Sequence, residues 1–182
     1  MKSYKYIIAI TFCFGLLLTS CNSEPTLQTY IVDHQESPNF TTVDLPLSVI
    51  NLDQSKLNED QKTAYNSIKR LNFLGYKKVA TEPEAYEAEK EKVELILNNK
   101  AYNELMVINN HGGKFTLKYL GDNDESIEEL IVYGNAKDTG FGILRVLGND
   151  MKPSQIMSLA KVLEKGDIDT SKINDVIGFF NE

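Results

Sequence analysis

Hydrophobic residues in the second half of the chain recur at every other position. Four consecutive segments share this period, and they are NELMVINN, KFTLKYLG, IEELIVYG and TGFGILRVLG. A period of two places successive side chains on opposite faces of a strand. The links between the segments are short and contain Gly, Asn and Asp, which is typical of turns between antiparallel neighbours. The pattern therefore predicts a four-stranded antiparallel meander between residues 103 and 148.

The second of these segments alternates strictly between two sets of side chains. The apolar set is Phe115, Leu117 and Tyr119, and the polar set is Lys114, Thr116 and Lys118. Such alternation is typical of an antiparallel strand with one face on the core and one face in water. We therefore expect the helices to pack on the apolar face of the sheet and the polar face to be exposed.

Further elements are predicted on both sides of the meander. VDLPLSVI, residues 43–50, predicts a strand that Pro46 confines to a sheet edge, and residues 72–79 predict a short second strand. Helices are predicted from Asn58, which can form a capping box with Gln61, and from Thr81, with Glu84 closing its box. A helix follows Lys152, and a short last helix spans Ser171–Phe180. In Gly140-Phe141-Gly142, the glycines indicate a bulge or close packing.

These elements together predict an α+β fold. We expect an antiparallel sheet, made of the four-stranded C-terminal meander and one or two further strands, with the helices packed on one face of that sheet. No internal repeat interrupts this organisation.

The first residues predict a secretory signal. Two lysines precede an apolar run of about 13 residues, Tyr6–Leu18. A membrane-spanning helix needs about 20 such residues, so the run is typical of a signal peptide. The following string, Leu18-Thr19-Ser20-Cys21, resembles the lipobox of bacterial lipoproteins. That resemblance implies cleavage before Cys21, attachment of diacylglycerol to its sulfur and acylation of the new amino group; an ordinary secretory signal or an uncleaved anchor is the alternative.

Processing at Cys21 would leave a single, acylated cysteine, because Cys13 lies in the signal. Such a chain forms no intramolecular disulfide and has no thiol nucleophile or cysteine metal site.

Two acyl chains are enough for stable anchoring. We therefore expect the membrane to be a partner through Cys21. The predicted location is the bacterial outer membrane, facing the periplasm, with the cell surface as the alternative.

Three segments are predicted along the chain. They are a signal peptide at 1–20, the lipidated cysteine with a flexible tether at 21–41, and one α+β domain at 42–182. The tether prediction rests on the mostly polar composition of residues 22–41, which contain prolines and show no sustained periodicity. The remaining residues, about 140, are enough for one domain with a core of its own.

The charge balance argues against nucleic acid as a partner. The chain has 19 Lys and Arg against 26 Asp and Glu, a net charge of −7. The signal contains two lysines and no acid, so the processed chain would carry 17 basic against 26 acidic side chains, or −9. Phosphate contacts need clustered Lys and Arg, which an acidic domain does not supply.

The meander also carries a family resemblance. GGKFTLKYLGDNDESIEELIVYGNAKDTGFGILRVLGN, followed by GNDMKPSQIMSLAKVL, resembles the core of the domain-of-unknown-function 4252 (DUF4252) family over residues 40–165. The matching features are patterns of apolarity and turns. The resemblance implies a signal-bearing protein or lipoprotein of the Gram-negative envelope. It implies neither an activity nor site residues.

Motifs for catalysis, metals and cofactors are not found in the sequence. The two histidines, His34 in the predicted tether and His111 in a predicted turn, are too few for a typical His-based zinc site. Oxygen-rich stretches at Asp122–Ser126 and Asp167–Ser171 lack the Gly and Glu that a calcium loop requires. There is no nucleophile elbow and no phosphate-binding glycine loop. We therefore nominate no catalytic, cofactor-binding or metal-binding residue, and Cys21 is the one predicted site.

The sequence leaves three functions open. The leading one is a membrane-anchored, non-enzymatic module of the cell envelope that binds a partner protein or senses a state. The alternatives are a carboxylate-dependent hydrolase acting on glycans, which needs two acids in a deep pocket, and a carrier of a small apolar ligand, which needs an apolar cavity.

Overall fold

The computed structural model describes residues 25–47, 52–110, 113–136 and 138–165. Four α-helices and six strands lie in these ranges, with a 3-10 turn at Gln54–Lys56. The helices are α1 (Leu27–Asp33), α2 (Glu59–Ser67), α3 (Pro83–Leu97) and α4 (Pro153–Lys165). The strands are β1 (Phe40–Pro46), β2 (Ile68–Lys77), β3 (Asn103–Asn110), β4 (Gly113–Leu120), β5 (Ile127–Ala136) and β6 (Gly140–Met151).

The six strands form one antiparallel sheet in the order β1-β2-β6-β5-β4-β3. The predicted α+β class, the C-terminal meander β3–β6 and the two further strands are confirmed. Pro46 lies at the end of edge strand β1, as expected for a residue that cannot donate to a ladder. The strand that joins the two halves is β6, which pairs with both β2 and β5.

Helices cover both faces of this sheet, so the prediction that they pack on one face is wrong. Neighbouring residues of β6 show this directly. Ile143 belongs to a core cluster with α1 and α3, and Leu144 packs against a second cluster that includes residues of α2 and α4. Because adjacent side chains of a strand point to opposite faces, the two clusters lie on opposite sides of the sheet.

The α1/α3 face has a core rich in aromatic rings. Tyr76 of β2 stacks on Phe141 of β6 with ring centroids 5.4 Å apart, and Phe40 meets Tyr76 edge-on at 4.9 Å. Gly140, at the start of β6, has φ 136°, and an added Cβ would collide with the carbonyl oxygen of Tyr76. The close packing predicted for this glycine-containing segment is therefore confirmed.

Helix caps follow the sequence in one case and depart from it in another. The Asn58 side chain accepts from the Gln61 amide at 2.9 Å, and the Gln61 side chain accepts from the Asn58 amide at 3.0 Å, so that predicted capping box is confirmed. Helix α3 instead begins with Glu82 as N-cap, without a side-chain cap bond, and Pro83 follows it. The predicted cap at Thr81 is wrong by one residue, because Pro83, with its fixed φ, is the first residue of the helix and makes Glu82 the N-cap.

The predicted tether is wrong where the structure describes it. Residues Leu27–Asp33 form α1, and Leu27, Tyr30 and Ile31 are buried in the α1/α3 core. Thr26 caps this helix through a capping box with Thr29. The i, i+3, i+4 spacing of the three apolar residues lets a short helix bury one face. The domain therefore begins earlier than residue 42.

Several sequence predictions lie outside the described residues. They are the signal peptide at 1–20, Cys21, His111, the oxygen-rich stretch Asp167–Ser171 and the last helix Ser171–Phe180. Among the helices that are described, none combines the length and apolarity needed to cross a membrane.

Candidate binding cleft

Four polar or charged side chains are buried in the described part of the protein. They are Thr116, Lys118, Glu129 and Arg145. Burying a charge without a partner is costly, so each of these groups requires a compensating contact or a reason to lack one. Arg145 and Glu129 compensate each other, whereas Thr116 and Lys118 lead to a cleft.

The buried pair of Arg145 and Glu129 is fully hydrogen-bonded. Arg145 Nε donates to Glu129 Oε1 at 2.7 Å, and Nη2 donates to Glu129 Oε2 at 2.8 Å. A third bond runs from Arg145 Nη1 to Gln28 Oε1 at 2.6 Å. The bidentate pair and the bond to Gln28 connect β5 and β6 to α1. The carboxylate and the guanidinium thus each have a partner of opposite charge within the fold. We therefore assign the pair a structural role.

The cleft lies beside the C-terminal half of α3, over β3, β4 and β5, and encloses about 190 Å³. The groups that line it are mostly charged or polar. They include Glu94, Asn98, Glu104, Lys114, Thr116, Lys118, Tyr133 and Asn135.

Strand periodicity brings these groups together. Lys114, Thr116 and Lys118 occupy alternate positions of β4, so their side chains share one face. Their neighbours across the ladder on β5 are Asn135, Tyr133 and Ile131, in that order. Glu104 of β3 lies opposite Lys118 on the other side. Helix α3 then closes the space with Glu94 and Asn98.

The polar face of β4 is therefore only partly open to water, contrary to the sequence-based expectation, because Lys114 is exposed but the next two residues on this face are covered. Thr116 is 7% exposed and Lys118 is 9% exposed. The alternation correctly separated the two sets of side chains. It could not show that the polar set lies under the end of a helix, because that placement depends on the connection from α3 to β3.

Tyr133 is the most unusual group in the cleft. Its side chain is 6% exposed, and its hydroxyl is buried without a hydrogen-bond partner. Asn135 and Glu94 lie close enough to influence its pKa, but by distance and angle neither completes a hydrogen bond to the hydroxyl. The Asn135 oxygen accepts from the Tyr86 hydroxyl at 2.6 Å. Burial raises the pKa of Tyr133, so its hydroxyl keeps its proton at neutral pH and remains an available donor.

Lys118 presents a second donor to the cleft. Within the described residues, its ammonium has no hydrogen bond or ion pair, although Glu104 is its neighbour on β3. The side chain is largely covered, but its nitrogen is not among the buried atoms that lack a partner, so the ammonium keeps access to water in the cleft. The cleft thus offers a ligand two donors, the buried Tyr133 hydroxyl and the water-accessible Lys118 ammonium.

His34, one of the two histidines considered as a metal ligand, is held by contacts within the fold. His34 ends α1 and is not part of a tether; its Nδ1 lies 2.7 Å from the Tyr30 carbonyl oxygen and its Nε2 lies 3.5 Å from Glu89 Oε2. Burial works to raise the pKa of Glu89, but hydrogen bonds from Lys92 and Tyr30 and the charge of Lys92 outweigh it and lower that pKa. These contacts attach α1 to α3.

The loop between β4 and β5 is a turn, as its sequence suggested. The Asn123 side-chain oxygen accepts from the amides of Glu125 and Ser126 at 2.9 and 3.1 Å. The Asn123 side-chain oxygen is therefore engaged in local bonds that are typical of such turns. In the part of the chain that is described, no group of three or more His, Cys, Asp or Glu side chains is arranged to hold a metal ion.

Two other cavities lie away from the cleft. The larger, about 760 Å³, is an open space at the end of the sheet near Lys100, Asp122 and Asp150. The second, about 310 Å³, lies between α1 and the strands β1 and β2. Neither is lined by a buried side-chain atom that lacks a hydrogen-bond partner among the described residues, which distinguishes the cleft at Tyr133.

The protein thus has an α+β fold with an open antiparallel sheet, and the cleft lies on that sheet beside the C-terminal half of α3. The chain belongs to the family described as domain of unknown function (DUF4252), whose model matches residues 33–159. The family resemblance in the sequence is thus confirmed. No curated protein and no solved structure gives a significant match.

Proposed function

We propose that this protein is a lipid-anchored, non-enzymatic binding module of the bacterial envelope, and that its cleft binds a small polar ligand. The observation that carries the binding role is the buried Tyr133 hydroxyl without a hydrogen-bond partner, in a cleft that Lys118 also lines. Proteins rarely leave such a hydroxyl buried, because it costs free energy that a partner would recover.

The contents of the cleft favour a zwitterion the size of an amino acid. Lys114, Lys118 and Tyr133 can donate to a carboxylate, and Glu94 and Glu104 can accept from an ammonium. A space of about 190 Å³ excludes a glycan chain or a large apolar ligand. Polar side chains of this kind bind and orient a charged molecule.

The anchor part of the proposal rests on the lipobox-like string that ends at Cys21. A chain held by two acyl groups faces the same compartment as its membrane leaflet. We place it in the outer membrane with the domain in the periplasm, where a small ligand or an envelope protein could reach it.

Labelling with radioactive palmitate tests the anchor. The full-length chain is expected to incorporate label, and Cys21→Ala is expected to lose it because the acceptor sulfur is gone. Cys13→Ala serves as the matched control and should keep the label. Label that persists in Cys21→Ala would refute lipidation at this residue.

Two conservative variants test the cleft. Tyr133→Phe is expected to raise the free energy of unfolding by about 1 kcal/mol, because it removes a buried donor that lacks a partner. Lys118→Met is expected to change it by less than Tyr133→Phe does, because the ammonium that it removes keeps access to water. Urea denaturation of the full chain measures this effect. Lys56→Met is the control, because Lys56 is largely exposed and should change stability by less than about 0.5 kcal/mol.

The same variants should lose binding. In calorimetric titrations with each of the free amino acids as probe, we expect at least one to bind in a one-to-one complex. Each cleft variant should weaken that complex about tenfold or more, since losing a hydrogen bond to a charged group costs roughly 1.5–3 kcal/mol. Variants that lose stability and leave binding unchanged would refute the cleft. Chemical conversion of a glycan probe would instead support the hydrolase alternative.

A further inference from the structure

The two edges of the sheet differ in how well they are protected. At the β1 edge, Pro46 is the last residue of the strand, and Asp44 places a charge that contacts Asn72 at 2.8 Å and Arg70 at 3.5 Å. Proline and charged side chains are the usual means by which an edge strand avoids pairing with another chain.

The β3 edge is less protected: its ladder shifts register between Glu104 and Met106, but from Met106 to Ile108 it carries neither proline nor charge. Its sequence NELMVINN contains a single charge, Glu104, and neither proline nor lysine. Met106 is 42% exposed, Val107 36% and Ile108 42%. Within the described residues, β4 is the one strand that pairs with β3. Three consecutive exposed apolar residues on an unprotected edge strand mark a surface for association.

The apolar residues lie on both faces of the strand. Met106 and Ile108 share one face, and Val107 lies on the other. A helix or loop placed on one face of the sheet would leave the other face exposed. A strand added along the edge contacts both faces at once and also pairs with the free backbone groups of β3.

We infer that the added strand is β3 of a second copy of this protein, in antiparallel register and centred on Val107. The two six-stranded sheets would then form one continuous sheet across a two-fold axis. This edge adjoins the proposed ligand cleft, which Glu104 of β3 also lines, but the inference does not depend on the cleft being occupied.

Side-chain pairing favours that register. Centred on Val107, the strand sets Val107 against its own copy and Met106 against Ile108 of the second copy, so the exposed apolar residues contact each other. Glu104, the single charge of β3, lies away from the two-fold axis, so no like charges are opposed. A register centred on Met106 would instead place Glu104 against Ile108 of the second copy, which pairs a charge with an apolar side chain.

Cysteine cross-linking tests the register. In a full-length chain with Cys13 and Cys21 replaced by Ser, Val107→Cys introduces a single thiol. Directly opposed residues of an antiparallel pair have Cα atoms about 4.5–5.5 Å apart, within the range of a disulfide. We expect mild oxidation of the purified protein in detergent to convert most of the Val107→Cys variant into a covalent dimer.

Asn109→Cys in the same background is the matched control. It lies on the same strand face, but the proposed register separates it from its own copy by four residues, or roughly 13 Å. It should form at least tenfold less dimer. Equal cross-linking at the two positions, a maximum at a position other than Val107, or no dimer at Val107 would each overturn the inference.

A second measurement avoids introduced thiols. Val107→Lys places two like charges opposite each other at the proposed axis and is expected to shift the chain from dimer to monomer in sedimentation equilibrium. Leu95→Lys is the control, because Leu95 is 66% exposed on α3 and outside the edge. An unchanged mass in Val107→Lys, or the same shift in both variants, would refute pairing through β3.

Discussion

Replacing Arg145 with methionine is expected to lower the free energy of unfolding by about 3–5 kcal/mol. Glu129 would then remain 5% exposed with a charge that no side chain balances. The cost arises less from the lost pair than from the carboxylate left in a medium that solvates it poorly. Urea denaturation followed by circular dichroism measures the change.

The double variant Glu129→Leu/Arg145→Met separates these two contributions. It removes both charges and fills the space with apolar atoms, so most of the lost stability should return, to within about 1–2 kcal/mol of the original protein. Arg70→Met is the exposed control. Its pair with Asp44 is more than half exposed and should contribute less than about 1 kcal/mol. A double variant as unstable as Arg145→Met alone would contradict this account.

Raising the pH above 10 is expected to unfold the protein over a narrow range. Burial is the first cause that raises the pKa of five tyrosines above the ordinary value of 10.0, and these are Tyr30, Tyr76, Tyr86, Tyr102 and Tyr133. Stability is fully present below the pKa of the unfolded side chains. It falls as the pH rises, because the unfolded chain then releases protons that the folded chain retains.

The size of the effect follows from the number of tyrosines involved. Each contributes up to about 1.4 kcal/mol per pH unit between its unfolded and folded pKa, so the five together can remove several kcal/mol within one unit. Most domains have only about 5–15 kcal/mol of stability. Near-ultraviolet absorbance of tyrosinate and far-ultraviolet circular dichroism, recorded on one sample, should therefore change together.

Tyr133→Phe provides the control for this titration. The variant lacks one of the five groups, so its alkaline transition should begin at a higher pH and be less steep. If the tyrosines ionise near pH 10 while the circular dichroism stays unchanged, the five phenols are not protected by the fold.

Local patterns in the sequence predicted the strands and the capping box well, because a hairpin or a cap depends on residues close together in the chain. The period of two identified β3–β6, and Asn58 with Gln61 identified the start of α2. The pairing of β2 with β6 could not be predicted from such local patterns. It joins Leu74 to Ile143, residues far apart in sequence whose contact is decided by the packing of the whole domain.

Two errors have the same physical origin. Helix α1 was taken for a tether because its three buried residues lie among polar neighbours, and their helical spacing spans barely more than one turn. The Lys114–Lys118 stripe was taken for a solvent face because alternation distinguishes polar from apolar, but not water from a cleft. In both cases α3 decides the outcome, since it contacts α1 and closes the cleft.

The central position of β6 determines when this protein can fold. Strands β1 and β2 can form a ribbon early, and β3–β5 can form a meander, but only β6 joins them. A chain cut before Gly140 would hold two separate half-sheets, each with an exposed edge. The six-stranded sheet is therefore completed only when β6 is present. Until then the chain has only partial sheets with open edges, which are exposed to proteases and to aggregation.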